Sequence, residues 1–194
     1  MSESLTRRSV LKLTGAVGLT GIFGAMGAMP AQAATDPGDS ATMLQKMQDW
    51  SDILNMANVG YDQGDRWSFL DRKKRTIIWN KECDCSSSCA AIAWLAGYKV
   101  ELDGNSDNFA ARFKAAGFKI IDYTDKSKVK VGDFVVKRGH HVVFARDSKR
   151  WWSAEHDEHG NASGGKAGDQ TGSECRYRAP YERSGGWDYI VRRP

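Results

Sequence analysis

Two residues in this chain are spaced for nucleophilic chemistry. Cys85 lies in Glu82-Cys83-Asp84-Cys85-Ser86-Ser87-Ser88-Cys89, directly ahead of the apolar run Ala90-Ala91-Ile92-Ala93-Trp94-Leu95-Ala96. Well downstream, Gly139-His140-His141-Val142-Val143-Phe144 carries a histidine into an apolar, strand-like segment. A thiol is mostly protonated at neutral pH, so a nucleophilic cysteine needs a lowered pKa or a neighbouring base. A helix start supplies the first through its dipole, and an imidazole on an adjacent strand supplies the second. Cys85 and His141 are therefore the candidate nucleophile and base. His140 and His141 point to opposite faces of a strand; His141 leads the apolar run, whereas His140 closes the preceding turn.

An imidazole acting as base is oriented by a third polar group at its other nitrogen. The segment Arg150-Trp151-Trp152-Ser153-Ala154-Glu155-His156 offers Ser153, Glu155 and His156. Glu155 can accept from the ring and stabilise an imidazolium, with His156, on the opposite face, as the alternative. Backbone N–H groups at Cys85 and its neighbour would form part of an oxyanion hole. The cluster Glu155-His156-Asp157-Glu158-His159 contains metal-ligand residue types. Its spacing does not match a helical His-Glu-x-x-His site, so a solvated charged turn is the expectation, with no metal and no cofactor. Trp151 and Trp152 alternate faces, one packing in the core and the other able to stack on a sugar or cap a cleft; both are read as core or interface residues.

The elements that must position these groups follow from periodicity. Met43, Met47, Trp50, Ile53, Leu54 and Ala57 recur at helical spacing over 42–57, with Asp39 or Ser40 as cap. A second helix starts at Cys85, with Cys85, Cys89, Ile92 and Ala96 on one face, and stops at Gly97; a third spans 107–116 and ends at Gly117. From there the pattern changes to strands at 118–123, 132–137, 141–145, 150–156, 174–178 and 189–192. The stretch 71–75 reads as charged and solvated, and the glycine-rich run 157–172 as a long functional or mobile loop. Helices first and strands later imply an α+β domain with N-terminal helices packed on an antiparallel sheet of five to six strands.

The N-terminus reads as an address. Thr6-Arg7-Arg8-Ser9-Val10-Leu11-Lys12 is a twin-arginine pattern, followed by a weakly apolar Gly/Ala-rich segment and the small residues Ala31-Gln32-Ala33. We read 1–33 as a cleaved twin-arginine (Tat) signal peptide, 34–40 as a linker and 41–194 as one domain. Cleavage would leave 161 of the 194 residues, with 25 basic against 23 acidic. That balance argues against nucleic acid. The expected product acts outside the cytoplasm, as a monomer, with no stable membrane insertion after cleavage. All four cysteines, Cys83, Cys85, Cys89 and Cys175, remain in it. With Cys85 a free nucleophile, one internal bridge can form, and Cys89–Cys175 or Cys83–Cys175 would each serve.

Asp84-Cys85-Ser86-Ser87 before an alanine-rich helix, with Gly132-Asp133-Phe134 and Gly139-His140-His141-Val142-Val143, resembles NlpC-type cysteine peptidases of the cell wall. These are papain-like enzymes with CHAP domains as relatives. Phage endolysin catalytic domains are more similar still: Gly60-Tyr61-Asp62-Gln63 and Arg66-Trp67 precede the cysteine motif. The tail matches through Gly164-Gly165-Lys166-Ala167-Gly168-Asp169-Gln170-Thr171-Gly172-Ser173-Glu174, Tyr181 and Trp187-Asp188. The resemblance covers about residues 58–193 and implies a papain-like fold and metal-free hydrolysis of an amide in peptidoglycan stem peptides. The bond would lie within the stem (endopeptidase) or between muramic acid and L-alanine (amidase). It implies Cys85 as nucleophile, His141 as base and Glu155 as the orienting group. It also implies Tyr61 near the nucleophile as a candidate substrate-binding residue of the cleft, and Asp84 and Ser86 as flanking residues in contact with peptide. The chain departs from the family in having Glu155 where many relatives carry His or Asn, and in having Cys83 and Cys89 beside the nucleophile. Two other readings stand beside it: acyl transfer on the same fold, and a non-catalytic secreted binding or inhibitor module with Cys85 in a disulfide.

Overall fold

The computed structural model describes residues 40–194. The stretch read as a signal peptide, 1–33, and that read as a linker, up to residue 39, lie outside the described residues. Ser40, read as the end of the linker, instead opens the first helix, α1 (Ser40–Met56).

Three helices and a six-stranded antiparallel sheet make up the α+β domain expected from the sequence. The helix that carries the cysteines, α2 (Cys85–Ala96), is the central one: every residue in it except Trp94 is buried. Its start is set by Asp84, whose carboxylate accepts from the Ser87 N–H while the Ser87 hydroxyl accepts from the Asp84 N–H, a reciprocal cap. It ends at Gly97, whose φ of 115° suits a residue without a side chain. The third helix, α3 (Phe109–Ala115), is shorter than the periodicity implies.

Four short strands come first: β1 (Gly60–Tyr61) pairs in parallel with β4 (Glu82–Cys83), and β2 (Leu70–Asp71) pairs with β3 (Thr76–Ile77). The charged stretch 71–75 is thus the turn of a small hairpin, too short for an alternating pattern to reveal. The main sheet holds β5 (Lys119–Asp122), β6 (Phe134–Lys137), β7 (His141–Ala145), β8 (Trp151–Ala154), β9 (Cys175–Arg178) and β10 (Tyr189–Arg192). All six fall where sequence alternation puts them. Their order is β5-β10-β6-β7-β8-β9, so the C-terminal strand inserts between two earlier ones.

Both faces of the sheet are covered. Phe134, Val136, Val142, Phe144, Trp152 and Ala154 join the helices in one large apolar core. Val135, Val143, Ala145 and Trp151 form a second, smaller core with Trp187. Strand alternation sends neighbouring residues to opposite faces, which is why Trp151 and Trp152 belong to different cores. Both tryptophans are buried, as their reading as core residues expects, so neither is an open sugar-stacking surface. Among the described residues no helix is long and apolar enough to cross a membrane.

Candidate active site

The N-terminus of α2 packs against β7, and Trp152 on β8 donates its indole N–H to the Ser88 hydroxyl at 3.1 Å, fixing helix to sheet. β7 and β8 pair only at Phe144↔Trp152 and Ala145↔Trp151. Val142 of β7, next in sequence to His141, lies close enough to Cys85 for its N–H to favour the thiolate. Cys85 therefore meets β7 one residue from His141.

Burial, and then the neighbouring Asp84 carboxylate, push the Cys85 thiol up to about 12, although N–H groups of Val142 and Ser86 pull the other way. The helix start was expected to lower this pKa; desolvation of a thiol that is only 4% exposed outweighs the dipole. At neutral pH the group is therefore a thiol.

His141 is buried, and its ring lies 6.0 Å from that of Trp187. Its Nε2 is 3.1 Å from Ser153 Oγ and 3.4 Å from Glu155 Oε1. The Ser153 hydroxyl donates to Glu155 Oε1, and Tyr181 donates to the same oxygen at 3.1 Å. A serine has one hydrogen to give. With that hydrogen on Glu155, Ser153 must accept from His141, which puts the imidazole proton on Nε2 and leaves Nδ1 as the basic nitrogen. Arg178 and Arg183 approach the Glu155 carboxylate at 3.4 and 3.9 Å. Burial alone would raise the Glu155 pKa, but His141, Ser153 and Arg178 together hold it well below the usual carboxylate range.

Of the residues singled out in the sequence, His141 and Glu155 are thus joined, and Cys85 sits beside the same strand. His156 turns elsewhere, its Nδ1 on the Asp157 carbonyl, and His140 is exposed in the turn. Tyr61 is buried, accepts from the Gln63 amide at 3.0 Å and has its phenol pKa raised by burial and by proximity to Cys85. Asp84 and Ser86 are both buried. Asp84 caps α2 and pairs with Arg66 at 2.8 Å, while the Ser86 hydroxyl donates to Asp84 at 3.0 Å. With both side chains buried and hydrogen-bonded to each other, neither offers open surface in this arrangement. Tyr181 and Trp187 were visible only as points of resemblance; they lie in an irregular segment where no periodicity assigns a role. The arginines on Glu155 carried no signal.

The two stretches that carried the resemblance at either end of the chain also meet. The Gln63 N–H donates to the Ala162 carbonyl and the Asp169 N–H to that of Asn58. Asp62 accepts from the Gly164 N–H, Glu82 from Gly168, and Glu174 from both Gln170 and Tyr61. The long loop is therefore clamped onto β1 and β4 by three carboxylates. The segment read as a solvated charged turn contains buried Asp157, whose carboxylate accepts from the N–H groups of His159 and Asn161 and organises the turn from inside.

The model of the endolysin-like domain matches residues 32–150 and 152–194. The chain belongs to the endolysin-like domain family. No curated protein matches it. Membership in the endolysin-like family points to a hydrolase with peptidoglycan as its substrate.

Proposed function

We propose that this endolysin-like protein is a cysteine hydrolase that cuts an amide bond in peptidoglycan stem peptides, exported by the twin-arginine route to work outside the cytoplasm. The observation that carries the reading is the Glu155–Ser153–His141 chain, which occupies Nε2 and leaves Nδ1 as the basic nitrogen of a histidine next in sequence to Val142, whose N–H bears on the Cys85 thiol. In the reaction His141 Nδ1 takes the proton of Cys85, and the sulfur attacks the amide carbonyl. Glu155, already ionised, stabilises the resulting imidazolium. The N–H groups at the start of α2 face the developing oxyanion. The imidazolium returns its proton to the leaving amine, and a water activated by the same nitrogen resolves the acyl-enzyme. Asp84 serves this chemistry by capping the helix start and Ser86 by donating to the Asp84 carboxylate, while Tyr61 lies near the sulfur and lines the substrate cleft. The acceptor is water in this reading; an amine in its place would make the same site an acyltransferase.

Release of soluble muropeptides from purified sacculi under reducing conditions tests the assignment. Cys85→Ala is expected to lose activity by roughly a thousand-fold or more with an unchanged melting temperature. Equal release by wild type and variant would overturn the thiol mechanism. Mass analysis of the products identifies the bond: a new N-terminal alanine marks an amidase, a cut within the stem an endopeptidase.

A further inference from the structure

Two cysteines that the chemistry does not use lie together near the nucleophile. Cys83 ends β4, and Cys175 opens β9, the edge strand of the main sheet. They are 92 residues apart in sequence, yet their sulfurs are 3.5 Å from each other. Cys175 also points its thiol at the Gly60 carbonyl of β1, at 3.3 Å. Both are free thiols, as are Cys85 and Cys89. Few positions bring two sulfurs into contact across such a sequence separation, and closing them to the roughly 2.05 Å of a disulfide needs only a small side-chain shift.

We infer that Cys83 and Cys175 form a disulfide in the oxidised protein, stapling the strand that leads into the nucleophile to the edge of the main sheet, while Cys85 and Cys89 stay reduced. The pair is chemically separate from the catalytic reading and does not depend on it. Cys83 is fully buried and Cys175 is 6% exposed, so exchange starts at Cys175. Its thiolate attacks one sulfur of a small-molecule disulfide oxidant, forming a mixed disulfide and releasing one thiolate. The Cys83 thiolate then attacks the Cys175 sulfur and expels the second thiolate. Two protein thiols lose two protons and two electrons; the oxidant gains the electrons and leaves as two thiols.

The staple would act on a short ladder that the main sheet does not include. β1 and β4 are two residues long each and pair only with one another. Through Tyr61 and Asp84 they nevertheless border the thiol. A bond from Cys83 to β9 ties this small ladder to the large sheet and fixes the residue two positions before the nucleophile.

Reduced full-length protein incubated with glutathione disulfide, then alkylated in denaturant and digested, provides the test. The expected product is a peptide containing Cys83 joined to one containing Cys175, with alkyl label on Cys85 and Cys89 alone. Cys83, Cys85 and Cys89 share one tryptic peptide, so fragment spectra must assign the bridge. Oxidation should also raise the melting temperature of wild type by roughly 5–15 °C and leave that of Cys175→Ser unmoved. Label on all four cysteines, a bridge from Cys85 or Cys89, or glutathione retained on Cys175 would each overturn the proposal.

Discussion

Glu155 and Glu82 are both largely withdrawn from water, and their pKa values are pushed in opposite directions. Glu155 follows β8 and faces His141, with Arg178 and Arg183 beyond it, and its pKa is pulled down. Glu82 sits in β4 and accepts a single backbone N–H, from Gly168; its other oxygen is buried without a partner. Burial, with Glu174, Asp62 and Asp65 nearby, pushes its pKa up to about 7. Desolvation opposes the charge of both residues alike. What separates them is the company of cations and N–H donors, and it divides their work: Glu155 is a fixed negative charge for the imidazole, whereas Glu82 is a clamp on the loop whose charge depends on pH.

The comparison breaks most visibly at Glu155. Glu155→Gln keeps the size and one acceptor oxygen but removes the charge. It should lower kcat by about 10–100-fold with little change in KM, because an uncharged group no longer stabilises the imidazolium. Stability should respond as well. The folded-state pKa of Glu155 lies below its ordinary value of 4.5, so its stabilising contribution is present above that value and is lost as pH falls beneath it. Acid unfolding of wild type should therefore steepen below about pH 4.5 relative to the variant. Identical kcat values and acid profiles would show that the charge does nothing for His141.

Ser153 sharpens the same side of the comparison, with a smaller effect. Ser153→Ala deletes the bridging hydroxyl but leaves Glu155 Oε1 within 3.4 Å of Nε2. A direct contact can then replace the bridged one, so kcat should fall only about 3–10-fold. A loss as large as that of Glu155→Gln would mean that the hydroxyl, rather than the carboxylate, sets the tautomer.

The strands and helices were legible because they repeat: alternation over 134–137 or 141–145 and the helical stripe from Met43 to Ala57 each state a burial pattern several times. Asp84 and Gly97 punctuate α2 with residue types that cap helices for known reasons. The pairing of His141 with Glu155 was accessible because both sit on adjacent predicted strands. The position of β10 between β5 and β6 was not, since alternation says which face a residue takes but nothing about which strand lies next to it. The raised thiol pKa was hidden for a related reason. A helix start is local and visible in sequence, whereas the burial that overrides it comes from β7 and Tyr61, distant in the chain. The clamp of Asp62, Glu82 and Glu174 on the loop was invisible too, because backbone N–H donors leave no mark on residue type.

That clamp supplies the smallest predicted effect. The folded-state pKa of Glu82, about 7, exceeds its ordinary 4.5, so folding is favoured by its protonated form. Its contribution is complete below 4.5 and is lost as pH rises through 7. Glu82→Gln retains an acceptor for the Gly168 N–H and cannot ionise, so it escapes that loss. Relative to wild type, the variant should gain about 1 kcal/mol at pH 8, a figure reduced for partial solvent screening, and essentially nothing at pH 4. Urea unfolding at the two pH values reads the difference directly. A gain of equal size at both would trace the effect to packing of the amide against β1. No gain at either would mean that Glu82 is ionised in the folded protein, and the contrast with Glu155 would vanish.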